Sequence, residues 1–185
     1  MQPNLLHTPL PYFYRDEIQH FLRAYFNPFA AGFDPTLRMF CEHQLPELGL
    51  FRGDHYKTSD EAQSAYWLRL MFVAELDGAL DLGRGLPRYW LGDGQTVGIK
   101  GASTYFGTTS YEIRSKIKEG RIEMSLDPPS RNPAREIVVR FRHPESRPIR
   151  RVTVNGKEWQ DFETAKGDIR LPGTTSGHTE IVAEY

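Results

Sequence analysis

The chain has 185 residues, of which 39 % are apolar and 25 % charged, and this composition predicts a folded core rather than a disordered polypeptide. The 23 basic and 24 acidic residues give a net charge of −1, which argues against a nucleic-acid-binding protein. No apolar run reaches the roughly 18 residues of a membrane helix, so we expect no membrane association. We also expect no signal peptide, because the N-terminus lacks a basic start and an apolar stretch.

The first half of the chain carries apolar residues at helical spacing. Between residues 15 and 31 they recur every three or four positions, which places them on one face of a helix that Pro28 is expected to bend or end. A second helix is predicted over residues 62–76, after the capping-box spacing of Thr58 and Glu61. Its apolar residues occupy nearly every face, so we expect it to contact protein on most sides.

The second half of the chain alternates apolar and polar residues, which predicts β-strands. The dipeptide Asn155-Gly156 indicates a type I′ hairpin, because both of its positions must adopt positive φ. We therefore predict an α+β fold: a short helical segment over residues 1–78, packed on an antiparallel β-sandwich over residues 79–185. The apolar positions that define the predicted strands are Ile113, Ile117, Ile122, Met124, Leu126, Ile137, Val139, Phe141, Val152, Val154, Ile169, Leu171, Ile181, Ala183 and Tyr185.

The segment 40–57, between the two predicted helices, is the most polar part of the helical half, and we interpret it as a loop region. Loops held by rigid helices often carry function. Carboxylates supply acids and bases for a glycosidic bond, and planar and aromatic side chains suit sugar hydroxyls and ring faces. The candidate residues in this segment are Glu42, His43, Glu47, Arg52, Asp54, His55, Tyr56 and Lys57.

Simpler interpretations of the same residues stay open. From the pattern alone, Glu42 and Asp54 are more often helix caps or members of surface ion pairs, and the two histidines are more often solvated side chains. Adjacent ligands on one loop rarely converge on a metal, and the HExxH pattern is absent, so we expect no metal site. The only cysteine, Cys41, excludes an internal disulfide and a cysteine-based zinc cluster, and a small buried hydrophobe is its commonest role.

Two aromatic positions in the strand half, Tyr105 and Trp159, are candidates for a carbohydrate platform. Core packing is the commoner role of such residues. Ligand binding without turnover, lost on truncation of either ring, would distinguish the two roles.

An ordered set of motifs resembles the C-terminal end of large bacterial six-hairpin glycosidases. In those proteins an (α/α)6 barrel is followed by a β-sandwich. The motifs extend over most of residues 15–185, and none of them is diagnostic by itself. They are GDHYKTSDEA at 53–62, YWLRLM at 66–71, PRYWLGDG at 87–94, ASTYFG at 102–107 and VTVNGK at 152–157.

The resemblance implies that residues 1–78 are the last helices of such a barrel. The polar segment would then lie near the sugar-binding end, with Glu42 and Asp54 as candidate catalytic carboxylates. His43, Glu47, His55, Tyr56 and Lys57 would be the substrate-binding residues, with no cofactor. The parent group looks exported. A barrel needs about twelve helices, so the chain is interpreted as a fragment or a relic, and its uncovered apolar flanks predict a homo-oligomer.

Three hypotheses about function follow. The first is a glycoside hydrolase, or a piece of one, that acts through paired carboxylates. The second is a non-catalytic module that binds glycan, and the third is a structural protein that self-associates.

Overall fold

The computed structural model describes residues 9–45, 50–55 and 58–185, and for residues 42–45 and 50–55 it describes the backbone. The chain divides into an N-terminal unit, Met1–Leu70, and a C-terminal unit, Met71–Tyr185. Within the described ranges, no helix combines the length and apolar character needed to cross a membrane. Helices and antiparallel sheets are both present, so the α+β class predicted from the sequence is confirmed.

The N-terminal unit contains helices α1 (Pro9–Tyr14), α2 (Ile18–Gly32) and most of α3 (Thr58–Phe72). A break at Asp16 separates α1 from α2, because its φ of +63° is incompatible with a right-handed helix. The predicted helix over 15–31 therefore begins three residues late. Pro28 lies inside α2, which continues to Gly32.

Aromatic rings form the core of the N-terminal unit. The rings of Phe13 and Phe21 have centroids 5.1 Å apart, and the Tyr25 ring meets Trp67 of α3 edge-on at 5.9 Å. The Tyr25 hydroxyl donates a hydrogen bond to the Ser64 carbonyl oxygen at 3.1 Å. These contacts join α2 to α3 through the apolar face that the helical spacing predicts.

The segment predicted as a loop over 40–57 instead contains two strands. Strands β1 (Phe33–Asp34), β2 (Met39–Leu45) and β3 (Leu50–His55) form an antiparallel sheet in that order. The Asp34 carboxylate accepts hydrogen bonds from the amides of Thr36 and Leu37 at 2.8 and 3.1 Å, which closes the turn between β1 and β2. The loop prediction is wrong because a dense run of polar residues is also compatible with a paired hairpin.

The predicted helix over 62–76 is wrong at its C-terminal end. Helix α3 stops at Phe72, and β4 (Val73–Leu76) pairs with β5 (Ala79–Leu82). Asp77 and Gly78 have φ of +49° and +79°, the pair of positive angles that a two-residue hairpin turn requires. Amides of Gly83 and Gly85 donate to the Phe72 and Met71 carbonyls, so the end of the helix is satisfied by the loop that follows β5.

The remaining strands complete two sheets of the C-terminal unit. One sheet has the order β11-β10-β14-β8-β7-β6 and the other β12-β13-β9-β5-β4, and the single parallel pair among them is β5 with β9. The strands are β6 (Thr96–Thr104), β7 (Gly107–Lys116), β8 (Arg121–Asp127), β9 (Glu136–Arg140), β10 (Arg151–Val154), β11 (Lys157–Trp159), β12 (Phe162–Glu163), β13 (Asp168–Pro172) and β14 (Thr179–Glu184).

The two sheets form a sandwich around an apolar core. Alternate residues are buried along the central strands, as Ile122, Met124 and Leu126 are along β8. At one end the backbone amide of Tyr105, in the β6–β7 turn, donates to the carboxylate of Glu75 on β4 at 3.0 Å. The burial of alternate residues confirms the alternation that the sequence predicts for the central strands. Asn155 and Gly156 adopt φ of +49° and +74°, as the hairpin prediction requires.

Three of the predicted strand positions lie outside strands. Ile117 belongs to a 3₁₀ turn over Ile117–Glu119. Phe141 follows the last residue of β9 and is buried there. Tyr185 follows the last residue of β14. All three side chains continue an alternating pattern in the sequence beyond the point where the strand pairing ends.

Candidate functional site

Four of the seven predicted catalytic and substrate-binding residues lie on the β2–β3 hairpin, as does the further candidate Arg52. Glu42 and His43 belong to β2, and Asp54 and His55 belong to β3. In the register of this pair, Cys41 lies opposite His55. The backbone therefore brings the two predicted carboxylate positions onto neighbouring strands, whereas their side chains lie outside the described residues.

A β-bulge separates the two halves of this hairpin. The register pairs Cys41 with His55 and His43 with Arg52, so one residue on β2, Glu42, lies opposite two residues on β3, residues 53–54. Bulges are frequent next to active sites, where they redirect a side chain. Glu42 and Asp54 thus occupy opposing backbone positions at an irregularity of the ladder.

The other predicted residues of this segment contribute nothing to the described geometry. Glu47, Tyr56 and Lys57 lie outside the described residues. The Cys41 side chain has no solvent exposure, which is the environment of a small hydrophobe rather than of a reactive cysteine.

A second candidate site is a cleft at one end of the sandwich, which we call the loop-end cleft. Its walls are residues 129–133, between β8 and β9, and residues 173–176, between β13 and β14. Its volume is about 210 Å³. Hydroxyl, amide and guanidinium groups line it together with two prolines and a glycine, so it is suited to a polar ligand.

Close backbone contacts fix the walls of the loop-end cleft. The amides of Arg131 and Asn132 both donate to the Phe106 carbonyl, at 2.9 and 3.0 Å. The backbones of Gly173 and Ala134 lie so close together that a Cβ atom on Gly173 would stand 1.7 Å from the Ala134 carbonyl oxygen. Only glycine fits at position 173, and this close contact holds the two walls of the cleft together.

The turn that carries Tyr105 is hydrogen-bonded to Asn132, a residue of the cleft lining. The Tyr105 side chain is 73 % exposed, although its backbone is held by Glu75 on one side and by the Asn132 side chain on the other. The Asn132 Nδ2 group donates to the Tyr105 carbonyl oxygen at 2.8 Å. A large ring on a well-anchored turn loses little conformational entropy when it contacts a ligand.

Trp159, the other aromatic candidate, has a structural role. It lies on β11 and is half-buried, and its indole N–H donates to the Arg170 carbonyl oxygen at 3.0 Å. Its polar atom is therefore already committed within the sandwich.

A third group of polar residues lies on the outer face of the six-stranded sheet, and we call it the His178 cluster: Ser125, Asp127, His178 and Glu180. The two ring nitrogens of His178 lie 2.8 Å from Asp127 Oδ1 and 2.6 Å from Glu180 Oε1. The Ser125 hydroxyl donates to the same oxygen of Glu180. Hydrogen bonds to the two carboxylates raise the pKa of His178, since both nitrogens donate when the imidazole is charged.

Buried charges lie on the other sheet. The Arg140 guanidinium donates two hydrogen bonds to the Asp168 carboxylate, at 2.5 and 2.8 Å, and both side chains are almost fully buried. Asp81 is also buried and accepts from Arg84 at 3.2 Å. Burial raises the pKa of Asp81, and the positive charge of Arg84 opposes that change.

No metal site emerges from the part of the chain that the structure describes. Within it, no three histidine, cysteine, aspartate or glutamate side chains converge as metal ligands. The side chains of residues 42–45 and 50–55 on the β2–β3 hairpin do not belong to that described part.

The loop-end cleft and the His178 cluster were not predicted from the sequence. The cleft carries a compositional signal, since its walls come from the turn-rich stretches DPPSRNP (127–133) and PGTTSG (172–177). The cluster carries no local signal, because Asp127 and His178 meet across 51 positions of sequence.

Comparison with known proteins identifies glycoside hydrolases as structural neighbours. No protein-family model and no curated protein matches the sequence. A Flavobacterium johnsoniae GH31 dextranase, solved with isomaltotriose and with glucose, superposes with a TM-score of 0.37 and 10 % identity over 58 % of this chain and 16 % of the dextranase chain. A structure described as a glycoside hydrolase superposes with a TM-score of 0.43 and 11 % identity over 91 % of this chain and 29 % of that chain.

The chain therefore spans less than a third of these solved proteins. The TM-scores of these neighbours lie below 0.5.

Proposed function

We propose that this chain is a carbohydrate-active protein, either a glycoside hydrolase or the C-terminal part of one. The observation that carries the proposal is the opposition of Glu42 and residues 53–54 at the β2–β3 bulge. Opposing residues of paired strands have Cβ atoms about 5 Å apart. The carboxyl groups of glycosidases stand about 5–9.5 Å apart, so the register is compatible with a catalytic pair.

In the proposed mechanism, Glu42 and Asp54 flank the glycosidic bond. One carboxyl group protonates the leaving oxygen, and the other activates water or attacks the anomeric carbon directly. His43 and His55 would adjust the pKa values of the carboxyl groups and contact hydroxyls. Glu47, Tyr56 and Lys57 would bind the remaining hydroxyls of the sugar.

The resemblance to six-hairpin glycosidases adds a second support. Its ordered motifs extend from the hairpin into the sandwich, and a sandwich of antiparallel sheets is the domain that follows the barrel in that group. We propose on this basis that residues 1–78 correspond to the last helices of a barrel and residues 79–185 to the appended domain. The exposed apolar side chains of Tyr66 and Leu68 on α3 support self-association of the chain.

Turnover of a panel of p-nitrophenyl glycosides tests the catalytic proposal. Glu42→Gln and Asp54→Asn are each expected to lower kcat at least about 10²-fold, because each removes a group that transfers a proton or attacks the sugar. Glu158→Gln is the matched control, since Glu158 is an exposed residue of β11. Equal activity of all three variants, or no turnover on the whole panel by a folded wild-type chain, would sink the catalytic proposal.

A non-catalytic module that binds glycan or self-associates is the alternative function. The loop-end cleft and the exposed Tyr105 favour it, because they form a polar cleft beside an aromatic surface without involving the hairpin. Glycan binding without turnover, or a defined oligomer in light scattering without either, would select this alternative.

A further inference from the structure

We propose that the loop-end cleft binds one residue of a saccharide that carries a carboxylate, such as a uronic acid. The cleft contains no residue of the β2–β3 hairpin, so the inference does not depend on the catalytic proposal. It rests on three features of the cleft: its rigidity, the chemistry of its lining, and the aromatic surface beside it.

The cleft is built before any ligand arrives. Pro128, Pro129 and Pro133 restrict one wall, and prolines reduce the conformational freedom that binding would otherwise remove. The contact between Gly173 and Ala134 fixes the other wall. A site whose backbone is already held in place loses little affinity to ordering.

The lining favours hydroxyl groups and one negative charge. Ser130, Thr174 and Ser176 supply side-chain hydroxyls, whereas the Thr175 hydroxyl is committed to the Pro172 carbonyl at 2.6 Å. No carboxylate lines the cleft. A ligand rich in hydroxyls therefore meets donors and acceptors on both walls and no repulsion of an anionic group.

Arg131 supplies the positive charge. Its backbone is fixed by the Phe106 carbonyl, its side chain is exposed, and no ion pair of Arg131 occurs among the described residues. The guanidinium fork matches a carboxylate in two parallel hydrogen bonds. The guanidinium group of Arg131 can therefore pair with a carboxylate on the sugar without competition from a carboxylate of the protein.

The size of the cleft limits what it encloses. At about 210 Å³ it is smaller than the roughly 300–1,000 Å³ of pockets for drug-sized ligands. It is therefore suited to one sugar ring. The backbone carbonyl of Tyr105 accepts a hydrogen bond from Asn132 of the lining, and the Tyr105 ring is exposed, so we expect this ring to contact the next ring of an extended glycan.

Calorimetric titration of the full chain with tetragalacturonate tests the proposal. The neutral control is the same tetramer after reduction of its carboxyl groups to primary alcohols. We expect measurable binding of the acidic tetramer and at least about tenfold weaker binding of the reduced one, because Arg131 then has no sugar carboxylate to pair with in the cleft. Equal binding of both tetramers, or of neither, would overturn the assignment of a carboxylate-bearing sugar.

Two pairs of variants locate the site. Arg131→Gln and Tyr105→Ala are expected to weaken binding about tenfold or more. Arg150→Gln removes another exposed arginine, and Tyr89→Ala removes another exposed ring, which is 72 % accessible; both should bind like the wild type. Binding that survives Arg131→Gln and Tyr105→Ala places the sugar elsewhere and refutes the site.

Inorganic sulfate separates a sugar site from a general anion site. We expect sulfate at concentrations comparable with the tetramer to leave the measured affinity unchanged. Full displacement by sulfate would show that Arg131 selects charge alone and would overturn the saccharide part of the proposal. Because every readout is binding, failure here leaves the turnover test of Glu42 and Asp54 unaffected.

Discussion

The cores of the two units contain different kinds of side chain. The N-terminal unit packs the aromatic rings of Phe13, Phe21, Tyr25 and Trp67 between its helices. The C-terminal unit adds to its apolar core the buried ion pair of Arg140 and Asp168. Apolar contacts weaken gradually as atoms are removed, whereas an ion pair out of water is stable only when complete. The two cores should therefore respond differently to small changes.

The largest expected effect comes from breaking that ion pair. Asp168→Ala removes the carboxylate that accepts two hydrogen bonds from the buried Arg140 guanidinium, and we expect the free energy of unfolding of the C-terminal unit to fall by about 3–5 kcal/mol. Urea denaturation followed by circular dichroism measures the loss, and hydrogen exchange localises it to peptides of Met71–Tyr185.

Two further variants decide whether the loss of the buried ion pair is the cause. Glu163 forms an exposed ion pair with Arg170 at 3.5 Å, so Glu163→Ala should cost no more than about 1 kcal/mol. The double variant Arg140→Met/Asp168→Leu removes both charges and should recover much of the loss. If Asp168→Ala were no worse than Glu163→Ala, the ion pair would not be a major support of this unit.

A smaller effect is expected from the corresponding change in the aromatic core. Tyr25→Phe removes the hydrogen bond from the Tyr25 hydroxyl to the Ser64 carbonyl and keeps the ring against Trp67. We expect a loss of about 1 kcal/mol, seen as faster hydrogen exchange in peptides of α2 and α3. Tyr14→Phe, at an exposed ring, should have no measurable effect, and equal behaviour of the two variants would contradict the assigned role of the Tyr25 hydroxyl.

The same contrast explains which parts of the molecule could be predicted from sequence. Alternation along β8 and the Asn155-Gly156 turn are local patterns, and local patterns determine strands and tight turns. Residues 73–76 follow a helix without a break in apolar character, so their strand depends on the turn at residues 77–78 and on the partner strand it brings.

The functional residues show the same limit. The predicted carboxylates Glu42 and Asp54 fall opposite each other because a bulge shifts the register of the hairpin, which sequence does not reveal. The loop-end cleft joins segments 40 residues apart in the chain, and the His178 cluster joins Asp127 to a histidine on another strand connection. Such sites depend on the order of strands in a sheet, and local sequence patterns do not predict that order.

The smallest effect expected concerns the protonation of two histidines in the C-terminal unit. Their surroundings shift their pKa values in opposite directions. His178 is exposed and hydrogen-bonded to Asp127 and Glu180, which raises its pKa above the usual 6.5. His143 is buried against the Tyr185 ring, and burial together with the nearby charge of Arg147 lowers its pKa, which the carboxylate of Glu145 only partly opposes. Nuclear magnetic resonance titration should therefore show His143 losing its proton at lower pH than His178.

The sign of the effect on stability follows from the raised pKa. The charged form of His178 is favoured by the fold, so its contribution is fully present below pH 6.5 and is lost as the pH rises through the higher folded value. Asp127→Asn and Glu180→Gln should each lower the pKa of His178 and together return it towards 6.5, while that of His143 stays unchanged. If His178 in the wild-type chain already titrated at or below 6.5, its two hydrogen bonds to carboxylates would not persist in solution. The β13–β14 connection would then lack that link to the end of β8.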